Sequence, residues 1–487
     1  MGIGLLFFLA SAYVHQIPSR CPTPLSRLDV LHAIAVHGTL RIDAYQTNTP
    51  DKSLFLGHFY SDKAPGTVSL ALPAFAGVAL VFKASGRDLD SEQGWLVSSW
   101  FACVGSISLL TAIGAALTFL WLSKYVSPRD AVITTLALFL GAAPLPYATM
   151  MFSHSLVVGL VSMAIWAIDQ KSSPAHEIRS LHRKSERSRD LARLRAMVFV
   201  RSHYHFLLAG FACGLALASE YTSGLIVVGL FLWLLWNCSL QPTTHGSFRA
   251  NFVHCALAFS FGAFPPLLLI PLYSWLCFHN PFILPYSLNV SFPEMKEGLY
   301  AIKWPNPETA FNLLFPPARG LFFWTPFLLL AGVGYSYVKD QPKLWLMYTL
   351  PLLQIIIISG RTWDWPAGPT LGPRYLAPIL PLLSLPCALG VQRFPRAGML
   401  LAGYSILITT LATLTNGSPP FVYNNPLTEL HIRLLWKGDL TPNVGLVLGL
   451  PPWLSIVLFY ALLAVGISWL WREIFRAQAS RPVSADA

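Results

Sequence analysis

An all-α polytopic membrane protein with about twelve membrane-crossing helices is predicted by three observations. Hydrophobic residues make up 54% of the 487-residue chain and charged residues 11%, with a mean hydropathy of +0.54; soluble domains are far more polar. Apolar runs long enough for a bilayer core, roughly 20 residues each, recur from the N-terminus to about Trp471. The Lys and Arg residues collect in short segments between those runs, a distribution that membrane topology explains. No soluble domain fits between the runs, so the chain reads as a single integral-membrane domain.

In order, the spans read as residues 2–15, 95–122, 131–147, 154–169, 204–219, 222–237, 251–278, 319–338, 344–360, 376–391, 397–415 and 447–471. The first is short and contains Ala10-Ser11-Ala12, an A-x-A cleavage pattern, so a signal peptide competes with a clipped first helix. The lack of Lys or Arg ahead of it favours the helix. The run Thr67–Phe82 is apolar enough to cross, but Pro73 interrupts it and it follows a charged loop directly.

Parity decides where that run lies. With it in the membrane interface, Lys124 and Arg129, the cluster Lys171–Arg201, Lys339 and Lys343, Arg393 and Arg396, and Arg472, Arg476 and Arg481 all fall on one side. The positive-inside rule makes that side cytoplasmic, together with both termini, and predicts a multi-pass protein of the inner or plasma membrane. Residues 16–94, 279–318, 361–375 and 416–446 then share the extracytoplasmic face, and 170–203 form a basic cytoplasmic loop.

The formal net charge of +11 does not by itself imply nucleic acid, because the basic residues do not line one face. The richest cluster sets nine of them (Lys171, Arg179, Arg183, Lys184, Arg187, Arg189, Arg193, Arg195, Arg201) against Glu177, Glu186 and Asp190. Its reading is topogenic, with RNA or lipid binding as the competitor. The seven cysteines form no CxxC pair and no repeated spacing, which argues against a disulfide framework or a structural zinc site.

The first outer segment, 16–94, is the candidate catalytic loop. It opens with an amphipathic helix from about Pro24 to His37, where Leu28, Leu31 and Ala35 share a face, Asp29 and His32 flank it, and Gly38 ends it. The loop that follows concentrates Asp43, Asp51, Lys52, His58, Asp62 and Lys63. Ordinary solvated charge is the competing reading for any one of them; as a set beside an interfacial helix they mark a site.

In a second outer segment, Arg361–Tyr375, Trp363, Trp365 and Tyr375 fit an aromatic belt. Arg374 begins an apolar helix after two Gly/Pro breaks, where its guanidinium fork suits phosphate oxygens at headgroup level; snorkelling is the alternative. His154 and Glu220 interrupt apolar sequence and mark turns on the outer face, and ionisable groups at such places are functional candidates.

The chain carries Gly57-His58-Phe59-Tyr60-Ser61-Asp62-Lys63-Ala64-Pro65-Gly66, with Arg41-Ile42-Asp43, Asp51-Lys52, Glu220-Tyr221, Arg319-Gly320-Leu321 and Gly372-Pro373-Arg374-Tyr375. Taken with the order of the elements, these motifs resemble those of the GT-C superfamily of integral-membrane glycosyltransferases. The nearest branch is the bacterial phospholipid-carrier-dependent enzymes related to protein O-mannosyltransferases and lipid A aminoarabinose transferases. The resemblance covers essentially the whole chain, and its motifs are specific as a set and weak singly.

The resemblance implies transfer of a sugar from a polyprenyl-phosphate carrier to a lipid, glycan or protein acceptor on the outer face, with inversion at the anomeric carbon. An acid of the first loop would accept the acceptor's proton, and cations, here Lys63 and Arg374, would stabilise the leaving phosphate. Asp62, His58, Tyr375, His154 and Glu220 complete the expected substrate-binding set. Better-known members carry an Asp-Glu pair just before the interfacial helix, where this chain has Pro24-Leu25. The candidate bases therefore rank Asp51, then Asp43, then Asp29. The resemblance leaves room for a divalent cation between such acids and the phosphate, but no ligand spacing specifies one. A flippase or transporter of polyprenyl-linked glycans, and a diphosphate-dependent ligase or polymerase, are the rival functions.

Overall fold

Residues 1–16, 21–170, 191–239, 248–297, 301–341 and 343–479 are described by the computed structural model. Of the basic loop expected at 170–203, residues 171–190 lie outside the described residues. Helices dominate, as the composition requires, with one two-stranded hairpin in the first outer segment.

Among the described residues, seven helices are long and apolar enough to cross a membrane by length and composition: Gly66–Ala84, Glu92–Leu122, Tyr221–Cys238, Phe252–Phe278, Arg374–Arg393, Pro395–Asn416 and Pro452–Ile474. Five shorter apolar helices, Gly2–Tyr13, Ser153–Ile168, Tyr204–Ser219, Pro326–Tyr337 and Leu344–Ser359, accompany them. Arg374–Arg393 is the inner wall, 94% of its apolar window being buried, whereas Pro452–Ile474, at 22%, leaves Val457, Leu462, Val465 and Trp469 exposed as a lipid-facing surface would. The stretch expected as one span at 319–338 is instead broken after Leu321–Trp324, and the remainder, Pro326–Tyr337, is a short helix of mixed type, Pro326–Leu329, Leu330–Gly334 and Tyr335–Tyr337. Pro326 is one physical reason, since it removes a backbone donor.

The helices α1 (Gly2–Tyr13), α2 (Pro22–His37), α3 (Gly66–Ala84), α4 (Glu92–Ala102), α5 (Leu109–Leu122), α6 (Pro128–Leu140), α7 (Pro144–Ala148) and α8 (Ser153–Ile168) follow chain order, with strands β1 (Lys52–Phe55) and β2 (His58–Ser61) between α2 and α3. A π-helical segment, Cys103–Ser108, joins α4 to α5 without a break. The expected 131–147 span is divided: α6 ends at Leu140, and α7 follows after Gly141.

The amphipathic helix α2 forms as expected, with Gly38 as its left-handed cap. Its buried face is different. Asp29 and His32, expected to flank it, are fully buried, while Ala35 is exposed. The reason lies in the partners: His32 stacks on Trp95 at 3.7 Å, bonds Asp90 through Nδ1 at 2.9 Å and meets Phe75 of α3 edge-on. A helix sunk between other elements, rather than lying on a membrane, buries its polar residues against bonding partners.

The hairpin was not legible as strand from the sequence. Its turn, Leu56-Gly57, has positive φ at both residues (48° and 81°), the geometry of the two-residue turns that suit the twist of paired strands and that glycine adopts without strain. The register pairs Lys52 with Ser61, so Asp51, just before β1, is set beside Asp62 and Lys63, just after β2.

α3 is long and apolar enough to cross a membrane, and contacts near both its ends bear on where it lies. Gly66 opens it so close to the end of the helix Leu191–Ser219 that a Cβ there would lie 2.6 Å from Ser219 Oγ. Six residues beyond its other end, Asp90 accepts from Tyr45 Oη at 2.9 Å and touches His32. At the far end of α8, 16 residues from Ser153, Asp169 pairs with Lys343 at 3.3 Å and with Lys124 at 3.9 Å. Basic turns thus sit at one end and the charged hairpin at the other.

This arrangement predicts the labelling of single cysteines placed on exposed sites either side of α3. A membrane-impermeant maleimide applied to intact cells is expected to reach both Leu56→Cys and Gln93→Cys. Reaction of one alone means that α3 crosses the membrane.

Candidate active site

A cavity of about 310 Å³ lies at the hairpin end of the bundle, between α2, the β1–β2 hairpin, the start of α8, the Glu220 turn and the 361–375 segment. Four cations line it: Arg27, Lys63, Arg361 and Arg374. Three carboxylates, Asp51, Glu220 and Asp364, and the imidazole of His154 line it as well. Trp363, Tyr286, Tyr375, Phe292 and Met295 supply an apolar and aromatic wall.

Each charge is held by a local reason. Lys63, brought back by the hairpin register, bridges Asp51 at 2.9 Å and Asp62 at 3.1 Å. Thr23 Oγ1 donates to Asp51 Oδ2 at 2.7 Å, and Asn289 Nδ2 donates to Asp62 Oδ2 at 2.8 Å. Asn289 reaches that position because the 285–290 strip docks on the open edge of β1, with Val290 N–H bonding the Lys52 carbonyl at 3.2 Å.

Burial tends to raise both carboxyls, and one ammonium cannot compensate two. Asp51, bonded also by Thr23 and near Arg374, is held below the usual carboxylate range, so it is ionised. Asp62 is pushed up to about 6 by burial and by the neighbouring Asp51 charge, against the pull of Lys63. The paired carboxylates outweigh burial on Lys63 and hold its ammonium above the ordinary lysine range.

Arg374 Nη1 donates to Thr23 Oγ1 at 3.2 Å and Nη2 to Tyr375 Oη at 3.2 Å, and its guanidinium lies over Phe152. Tyr375 Oη in turn donates to Asp364 Oδ2 at 2.8 Å, where Arg361 also pairs at 3.1 Å. Arg27 donates to the Met151 carbonyl at 3.1 Å and to Ser153 Oγ at 3.0 Å. Ser153 donates onward to Glu220 Oε2 at 2.7 Å, and Thr222 Oγ1 donates to Oε1 at 3.1 Å. The Nε atoms of Arg27 and Arg374 have no hydrogen-bond partner among the described residues, so each retains a donor.

The structure therefore gathers Asp51, Lys63, His154, Glu220, Arg374 and Tyr375 of the expected set, with Asp62 directly behind Lys63. It does not bring Asp43, His58 or Asp29 to the cavity wall. Asp43 caps the hairpin instead, bonding Phe59 N–H at 2.7 Å and the half-exposed His58 at 2.8 Å. Asp29 faces the interior of the loop, where it accepts from Asn48 at 2.9 Å.

Sequence reasoning missed Arg27, Arg361 and Asp364. A signal for the first existed: Thr23 and Arg27 stand four apart on α2, on one face. The Arg319-Gly320-Leu321 motif has another role. Arg319, 1% exposed, donates to the carbonyls of Pro366, Gly368 and Pro419, clamping the segment that carries Arg361, Asp364 and Arg374. No set of three His, Cys, Asp or Glu side chains suited to a metal ion occurs among the described residues, and the acids of the hairpin share Lys63 rather than an open gap.

Asp29 gives a pH-dependent expectation. Burial, only partly offset by Asn48 and Lys52, pushes its carboxyl up to about 7. The folded state then binds more protons than the unfolded state between about 4 and about 7, so stability falls as pH rises through that window. Asp29→Asn removes this loss. Its melting temperature in detergent is expected to pull ahead of the wild type from pH 4 to pH 7 and to keep a constant lead above, with a ceiling of about 4 kcal/mol. A lead that does not vary with pH contradicts the assignment.

No protein-family model matches the chain, and no curated protein does. Among solved structures it is similar to the crystal structure of ArnT from Cupriavidus metallidurans bound to undecaprenyl phosphate, at 14% identity and a TM-score of 0.45, with 98% of this chain and 76% of that chain covered.

Proposed function

We propose that the protein is a membrane glycosyltransferase that moves a sugar from a polyprenyl-phosphate carrier to a lipid, glycan or protein acceptor at the extracytoplasmic face, by a single displacement that inverts the anomeric carbon. The observation that carries this reading is the convergence of Arg27, Lys63, Arg361 and Arg374 on one cavity, where Arg27 and Arg374 each keep an Nε donor with no hydrogen-bond partner among the described residues. Unspent donors on fixed guanidinium groups favour an anion. A phosphodiester donor brings one negative charge and leaves as a monoester with more, so cations fixed around the phosphate gain interaction energy as the bond to the sugar breaks.

Position supports a lipid-linked donor. The cavity opens at the end of an apolar helix bundle, and Trp363, Tyr286 and Tyr375 offer faces for a sugar ring. The acceptor's proton must pass to a group on the wall, where Asp51, Glu220, Asp364 and His154 are available. The basic turns at the opposite end support the extracytoplasmic assignment. The test is turnover in proteoliposomes given polyprenyl-monophosphate hexoses and aminopentoses, radiolabelled in the sugar. Free polyprenyl phosphate and labelled acceptor are expected, with diphosphate-linked oligosaccharide left unconsumed.

A further inference from the structure

We infer that His154, held by Glu220, is the base that removes the acceptor's proton; the inference rests on the glycosyltransferase reading above. The four proton acceptors on the cavity wall are not equivalent. Asp51 is engaged by Lys63 and Thr23, and Asp364 by Arg361 and Tyr375. Glu220 accepts from Ser153 and Thr222. His154 differs: it is 1% exposed, lines the cavity, and has no hydrogen-bond partner for either ring nitrogen among the described residues.

A buried imidazole with both nitrogens unsatisfied is costly. The cost is explained if a ligand completes it. Nε2 lies 3.7 Å from Glu220 Oε2, and closing that gap by less than 1 Å makes a hydrogen bond; such contacts commonly tighten only when substrate is bound. With its proton on Nε2 directed at Glu220, the ring presents Nδ1 as the acceptor, the tautomer a carboxylate partner selects.

Tyr147, Phe152 and Tyr375 pack around the ring at centroid distances of 6.0, 5.7 and 6.0 Å and fix its plane. The charged groups facing it are Glu220, Arg27, Arg374 and Lys63. The arriving phosphate brings negative charge among those cations and so helps stabilise the imidazolium that proton removal forms.

The acceptor oxygen forms a bond to the anomeric carbon while the bond from that carbon to the phosphate oxygen breaks, its electron pair leaving on the phosphate. The acceptor proton goes to His154 Nδ1, and Glu220 compensates the imidazolium charge. Glu220 is a positioning residue in this scheme, and Asp51 serves to hold Lys63.

The experiment uses the full-length protein in proteoliposomes with a radiolabelled polyprenyl-monophosphate hexose series, and scores both sugar transfer and retention of a fluorescent polyprenyl phosphate. Wild-type turnover establishes the underlying reading; its absence with every donor overturns that reading and the base with it. His154→Gln is expected to lower transfer at saturating donor by about a hundredfold or more, with carrier retention within a few-fold of wild type. His154→Ala is expected to regain part of the loss in added imidazole, which a packing defect would not. Glu220→Gln should lose less than His154→Gln and shift the pH profile. Transfer by His154→Gln near the wild-type rate beside an inactive Asp51→Asn places the base on Asp51. Parallel loss of retention and transfer in both His154 variants, without rescue, makes His154 a binding residue; either result overturns the proposal.

Discussion

Lys63→Ala is expected to abolish turnover and to destabilise the fold by about 3–5 kcal/mol, the cost of stripping one partner from a buried ion pair. Both effects have one cause. The ammonium is buried between Asp51 and Asp62, so its removal leaves two carboxylates facing each other without compensation and deprives the donor phosphate of a cation. Lys63→Met should behave alike, because the missing element is charge rather than chain length.

The sign of the pH dependence follows. Without Lys63 both carboxyls in the folded state titrate above their unfolded values, so the folded state binds the extra protons and the stability deficit grows as pH rises. Thermal unfolding of wild type and variant in detergent between pH 5 and pH 8 measures it. A variant that melts within about 1 kcal/mol of wild type at pH 8 contradicts the triad.

Arg374→Ala is expected to cost turnover on the order of a hundredfold, about 3 kcal/mol of transition-state stabilisation, and to weaken carrier binding. Its guanidinium is tied to Thr23 and Tyr375 and keeps Nε unpaired among the described residues, a geometry that fixes the side chain while reserving a donor. Arg374→Lys keeps the charge but not the fork, and should recover binding better than rate. Normal activity in Arg374→Ala with unchanged melting would leave it a snorkelling side chain.

Much of this was legible in the sequence, for identifiable reasons. Hydropathy reports burial in lipid directly, so the helical membrane class was readable from composition alone. His154 and Glu220 stood out because polar groups are expensive in apolar surroundings, Arg374 because it opens an apolar helix, and Lys63 because it lies in a loop rich in charge. The hairpin did not: four-residue strands carry little alternation, and a Leu-Gly turn is a weaker signal than Asn-Gly. Without its register, Asp43, Asp51 and Asp62 are three equivalent loop acids; with it, Asp51 faces the cavity, Asp62 lies behind Lys63, and Asp43 caps a strand. Arg27 was hidden for the opposite reason, since a charge on an amphipathic helix reads as its wet face, whereas α2 is packed on several sides and turns that charge inward.

The central claim is that the cation-lined cavity holds a lipid-linked monophosphate. Its most direct test is mass spectrometry of the lipid retained by the protein purified from its own membranes, wild type beside Arg374→Ala. Polyprenyl monophosphate, free or carrying one sugar, is expected with the wild type and strongly depleted in the variant. A diphosphate-linked glycan, or a polyprenyl lipid retained equally by both proteins, would contradict it.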